Sequence, residues 1–240
     1  GKYPQSSDVY EFWENLKNGR DCITQIPKNR WDYKHYYDAD RNAKGKVASK
    51  WGGFISDVDC FDADLFNIQH HQADYLDPQE RLLLQAAWET LEDSGYTPDR
   101  IGRSSSDLPD ATGVYIGCMY THYPWLVHDR SQGALLANHS IWAIANRISY
   151  FFDFNGPSIA CDTSCSSALT ILHLACSGIK NGDCGTALVG AVNLTLHPSK
   201  YFALDRNMML ASHPKSMGLG DAGDGFVPAE GVGAVLLKPL

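Results

Sequence analysis

The chain has 240 residues, 44% hydrophobic and 20% charged, with a formal net charge of -8 and a pI near 5.5. This composition fits a globular chain with one sizeable core and excludes a disordered one. The acidic balance argues against nucleic-acid binding, and no run of about 18 apolar residues is available to span a membrane.

Ser7 is placed to cap a first helix on which Val9, Phe12, Trp13 and Leu16 share a face and which Gly19 ends. From Cys22 to Lys50 there is little periodicity, and Trp31, Tyr33, Tyr36 and Tyr37 suggest a surface segment pinned by aromatic rings. Trp51 to Ile55 reads as a turn into a short strand. The pair His70-His71 has no third ligand at a metal-binding spacing, and neighbouring side chains diverge, so no metal is expected there.

Asp77-Pro78-Gln79-Glu80 is a helix start, with Asp77 as cap, Pro78 in the first turn and Glu80 positioned to reach back. That helix runs to about Ser94, with Leu82, Leu83, Ala86, Ala87 and Leu91 on its stripe and Gly95 as terminator. A polar loop follows, then a buried strand over Thr112 to Tyr120 and a loop from Thr121 to Gly133. Ile141, Trp142, Ile144, Ala145 and Ile148 mark the next helix.

Gly156 to Ala168 reads as strand, tight turn and helix, with Cys165 at the junction. Ala168, Leu169, Ile171, Leu172, Leu174, Ala175 and Ile179 leave the helix hardly any polar face, so it should be buried, with His173 packed in the core. Unpaired N–H groups and the positive dipole end at its start favour a thiolate at Cys165, whose backbone N–H could help hold an oxyanion. Locally, a nucleophile and an inert packed thiol fit equally well. The seven cysteines, an odd number scattered through the chain, are expected to be reduced, and with no charged-then-apolar leader a cytoplasmic setting is expected.

Thr186 to Val192 is another buried strand, so strand, helix and strand imply a parallel pair with a right-handed crossover. A short helix follows Pro198, carrying Tyr201, Phe202 and Leu204. Gly218 to Gly225 lacks the Gly-Lys-Ser/Thr ending of a phosphate loop, and its aspartates would repel phosphate. Val232 to Leu237 is the last strand. The alternation makes the chain α/β with a mostly parallel sheet.

Several separated segments carry a family resemblance: Tyr75 to Leu84, Ala145 to Tyr150, Gly156-Pro157-Ser158, Asp162 to Ser167, and Asp224 to Gly231. They resemble the ketosynthase domain of a bacterial modular polyketide synthase, in the thiolase-like superfamily. The resemblance implies an αβαβα layered fold, a homodimer, and decarboxylative Claisen condensation. Cys165 matches the nucleophile that takes an acyl chain from the phosphopantetheine of an acyl carrier protein; the domain itself binds no cofactor. Neighbouring polyketide synthase domains are further implied partners.

Met119, Asn138, His139 and Trp142 fall, by resemblance, in segments lining the acyl pocket or the adjacent dimer seam, and Ser164 lies beside the nucleophile. The family also uses two histidines in downstream motifs, before which this sequence stops at Leu240. The expectation is therefore a front part of a ketosynthase, inactive by itself. Ser164 stands where alanine is commoner, Ala229 where glycine is commoner, and Gln69-His70-His71-Gln72 where Ser-Pro-Arg-Glu is commoner. The style of Ser49 to Ile55 resembles assembly lines with free-standing acyltransferases. A non-elongating ketosynthase, a fatty-acid-type condensing enzyme and a purely docking half remain alternatives.

Overall fold

The structure, a computed structural model, describes residues 1–97, 101, 110–127 and 140–239. It divides into two compact units, one centred on Val58–Asn193 with the final strand, the other formed by Lys2–Asp57 with Leu194–Gly231. The candidate site lies in the first.

That first unit contains α2 (His70–Ala73), α3 (Pro78–Ser94), β3 (Thr112–Cys118), α4 (Tyr123–Val127), α5 (Ile141–Phe152), β4 (Ser158–Cys161), α6 (Ser167–Asn181), β5 (Thr186–Asn193) and β6 (Gly231–Leu237). Its sheet has the order β4-β3-β5-β6, with β3 parallel to β4 and to β5 in registers Val114↔Ser158 and Val114↔Leu188. Successive side chains of β3 face opposite ways. Tyr115 packs with Ile171 and Ala175 of α6, whereas Ile116, with Gly190 of β5, faces Leu83 of α3. Helices thus cover both faces of the parallel strands, which is why β3 is buried along its whole length.

Helix α3 begins as its sequence requires, with Asp77 Oδ1 accepting the Gln79 N–H at 2.9 Å, and it stops at Gly95 in a left-handed conformation. Glu80 does not reach back to its own cap. It pairs with Arg147 of α5 instead, because both side chains project into the same α3–α5 contact. Burial pushes Glu80 upward, opposed by the Arg147 charge.

Asp77 is 3% exposed, and its second carboxylate oxygen has no hydrogen-bond partner. Burial pushes its carboxyl up to about 6, against the lowering effect of the Gln79 N–H. A folded-state value above the unfolded one favours folding below about pH 4, and this contribution is lost as pH rises through 6. Asp77→Asn keeps an acceptor for the cap but removes the titration. In the intact protein the variant should therefore gain about 2 kcal/mol relative to wild type between pH 4.5 and 7.5, read by urea unfolding at both pH values. A pH-independent difference would assign the titration to another group.

Helix α6 departs from the sequence expectation. Ser167, Ile171, Ala175 and Gly178 are buried, but Leu169 is 73% exposed, and His173 is exposed rather than packed in the core. One helix can turn only one stripe onto the sheet, so an almost wholly apolar sequence leaves part of itself uncovered.

The second unit holds α1 (Val9–Lys17), the two-stranded ribbon of β1 (Thr24–Gln25) and β2 (Trp51–Gly52), and α7 (Ser199–Arg206). Its core is Ile26, Val47, Phe54, Tyr201, Leu204 and Leu210, with Trp31, Tyr33 and Tyr36 packed against it. The aromatic residues of the segment from Cys22 to Lys50 therefore do pin it. Asp8, not Ser7, caps α1, and Ser7 is held by the Glu11 carboxylate. Val9, Trp13 and Leu16 are exposed, so their shared face is not a core face.

Two long-range ties close this unit. Glu230, with a fully buried side chain, pairs with Arg30 at 3.1 Å and accepts the N–H groups of Ile55 and Thr195, each at 2.8 Å. Arg41 binds Asp224 at 2.8 Å, and hydrogen bonds from Ser212, then Arg41, hold Asp224 down at about 2. The Gly/Asp-rich stretch thus ends in a clasp.

Candidate active site

Cys165 occupies the turn between β4 and α6, at the C-terminal edge of the parallel strands, and its side chain is exposed. Parallel sheets characteristically place ligand sites at this edge because connecting loops converge there. Ser164, immediately before the cysteine, has a φ of 61°, a left-handed conformation that strains a residue bearing a Cβ.

The turn is held from both sides. Asp162 Oδ1 accepts the Ser164 N–H at 2.8 Å, and Ser167 Oγ donates to the Ser164 carbonyl at 2.6 Å while accepting the Thr163 N–H at 2.9 Å. Ser166, the N-cap of α6, makes no side-chain cap bond; its hydroxyl lies 2.7 Å from the Thr163 carbonyl. The run of small polar residues from Asp162 to Ser167 is therefore a hydrogen-bonded frame. It projects the Cys165 side chain outward just ahead of the helix N-terminus.

The end of β3 forms the neighbouring wall. A Cβ on Gly117 would stand 3.0 Å from the Ala168 nitrogen, so a glycine here lets β3 and the start of α6 approach closely. Just beyond, Met119 Sδ accepts from Ser164 Oγ at 3.5 Å, and the same hydroxyl lies 3.9 Å from Cys165 Sγ. Burial pushes the Tyr120 phenol above its ordinary value, and negative charge at Cys165 and Asp162 adds to the shift. Gln79, buried in α3, donates to the Tyr120 carbonyl.

Of the residues expected at the site, Cys165, Ser164 and Met119 are together. Trp142 lies on α5 with half its surface exposed. Asn138 and His139 lie outside the described residues. Cys165, Ser164 and Met119 are joined by Tyr120, Asp162 and Gln79, and the sequence does not single these last three out. The available signal for the first was its position just past the C-terminal end of a buried strand; Gln79 stood in a helix-start motif whose cap explained it fully. Among the described residues no group of three or more His, Cys, Asp or Glu side chains is arranged to hold a metal ion, and no helix is long and apolar enough to cross a membrane.

The chain resembles known proteins along its whole length. The family model described as "Beta-ketoacyl synthase, N-terminal domain" matches residues 1–240. The chain is 51% identical to polyketide synthase PksL of Bacillus subtilis (strain 168), covering 100% of this chain and 5% of PksL. It is 47% identical to polyketide synthase ThaG of Burkholderia thailandensis, covering 100% of this chain and 4% of that protein.

Among solved structures, the oxazolomycin ketosynthase domain OzmH KS7 of Streptomyces albus JA3453 matches with a TM-score of 0.92 at 46% identity, over 99% of this chain and 41% of that one. The ketosynthase from module 6 of the bacillaene synthase of Bacillus subtilis 168 matches with a TM-score of 0.85 at 35% identity, over 100% of this chain and 38% of that one. The likeness establishes the thiolase-like α/β fold. A match along its whole length makes this chain a member of the beta-ketoacyl synthase family, spanning that family's N-terminal domain and related to bacterial polyketide synthases.

Proposed function

We propose that this chain is the nucleophile-bearing part of a ketosynthase acting in polyketide biosynthesis. Cys165 takes an acyl chain from the phosphopantetheine thioester of an acyl carrier protein. Its thiolate attacks the acyl carbonyl carbon, the bond to the pantetheine sulfur breaks, and that sulfur leaves as a thiol with the proton Cys165 released. A malonyl-type unit on another carrier then loses carbon dioxide, and the resulting carbanion forms the new carbon–carbon bond as Cys165 departs. The observation that carries this reading is the exposed thiol on a strained, hydrogen-bonded turn just before a helix N-terminus.

The backbone N–H of Cys165 is the oxyanion donor this chain contributes, and the two histidines implied by resemblance to lie downstream complete the acid–base work. Met119 and Ser164 line the near end of the acyl pocket. The domain binds no cofactor, since phosphopantetheine arrives on the carrier, and it works as a homodimer beside neighbouring synthase domains. All seven cysteines are free thiols, which supports a reducing, cytoplasmic setting.

The test uses the full ketosynthase domain containing this chain, incubated with an acyl-pantetheine thioester and examined by intact mass, then supplied with malonyl-carrier protein. Wild type should gain one acyl group and extend it, while Cys165→Ala should lose loading by at least about a thousandfold, the scale seen when a covalent nucleophile is removed. An adduct that persists without extension would make the domain a non-elongating ketosynthase that only passes acyl chains between carrier proteins. Equal loading of wild type and Cys165→Ala would overturn the assignment.

A further inference from the structure

The hydroxyl of Ser164 has two sulfur atoms within reach and one proton to donate. Both backbone polar groups of Ser164 are already engaged, the N–H by Asp162 at 2.8 Å and the carbonyl by Ser167 at 2.6 Å. Its φ of 61° then aims the side chain at the corner where Met119 Sδ stands at 3.5 Å and Cys165 Sγ at 3.9 Å. A thioether is a weak acceptor and a thiolate a strong one. We infer that Ser164 is a positioning residue for the nucleophile, its hydroxyl parked on Met119 while Cys165 is a thiol or thioester and turned onto Cys165 when the thiolate forms. The proton stays on the Ser164 oxygen throughout, so no bond is broken and no co-reactant is needed.

This inference rests on Cys165 being the acyl-accepting nucleophile. It assigns a role to the serine that a substitution by alanine at this position would lack. Among the described residues, Tyr120, at the end of β3, and Asp162, in the turn, are titratable groups coupled to this corner. Both stay in place in the variants below, so a difference between variants reports the hydroxyl.

The test measures iodoacetamide alkylation of Cys165 from pH 6 to 10 in the full ketosynthase domain, read on the peptide carrying Cys165 because Cys60 and Cys176 are also exposed. Ser164→Ala and Ser164→Gly should both move the half-maximal pH upward by about one unit, roughly a tenfold slower reaction near neutrality, as expected for losing a hydrogen bond to a charged group. Glycine also relieves the backbone strain, so agreement between the two variants separates the hydroxyl from the turn conformation.

Met119→Leu removes the competing acceptor and should move the half-maximal pH the opposite way. This variant leaves the turn untouched and keeps the test decisive if the serine variants fold poorly. Unchanged profiles in all three would overturn the role of Ser164, and so would a shift in Ser164→Ala that Ser164→Gly does not share. Acyl loading on Cys165 would survive that result, whereas failure of the ketosynthase reading would appear as no Cys165-dependent loading in any variant.

Discussion

Replacing Glu230 by alanine should destabilise the protein by about 3–5 kcal/mol, the scale for breaking one partner out of a buried ion pair. The side chain is fully buried, and that of Arg30 is 5% exposed. The carboxylate also accepts the N–H groups of Ile55 and Thr195. Its removal leaves a buried guanidinium and two amide donors unsatisfied together, and Arg30 Nη would retain only the Ile55 carbonyl at 2.9 Å. Glu230→Gln keeps the shape and should fall between alanine and wild type.

Urea unfolding followed by tryptophan fluorescence can check this, because Trp31 packs against the same core that the tie closes. Adding Arg30→Met to Glu230→Ala should cost little more, since the arginine has already lost its partner. A loss below about 1 kcal/mol for Glu230→Ala would place the tie among ion pairs that contribute nothing measurable.

The second large effect is expected at Gly156, just before β4. A Cβ there would lie 2.6 Å from the Thr112 carbonyl carbon and oxygen and 2.7 Å from the Gly113 nitrogen. These are backbone atoms where β3, the middle of three parallel strands, begins, and the Gly156 N–H donates to Thr112 O at 3.0 Å. No side-chain rotation can relieve such a contact, so the two strands must separate. Gly156→Ala should cost about 3 kcal/mol, the upper end for overpacking.

It should also slow acyl loading, because β4 leads directly into the turn that carries Cys165. Gly218→Ala is the control, having open space where its Cβ would go and no positive φ. Equal stability of the two variants would mean that β4 can shift along β3 without loss.

Much of the fold is local chemistry and could be read in order along the chain. Asp77-Pro78 starts α3, and Gly95 and Gly182 end α3 and α6 in left-handed conformations that a Cβ disfavours. Buried apolar runs became β3 and β5, and the strand, turn and helix around Cys165 formed where the residue types required. Partners are where the structure departs from the sequence. Helix α6 looked buried all round, yet Leu169 and His173 are exposed. Ser7 and Glu80 looked like capping groups, but Asp8 supplied the better-placed carboxylate and Arg147 drew Glu80 away.

The sequence by itself determined the elements, the parallel alternation and the place of Cys165 between a strand and a helix, because each depends on residues within one or two turns of one another. Tertiary structure alone decided which groups meet. Glu80 is 67 residues from Arg147, Arg30 is 200 from Glu230, and Ser164 is 45 from Met119. Charge and hydrogen-bond capacity are written in the sequence, but a partner is a distance in space, set only when the strands and helices have packed.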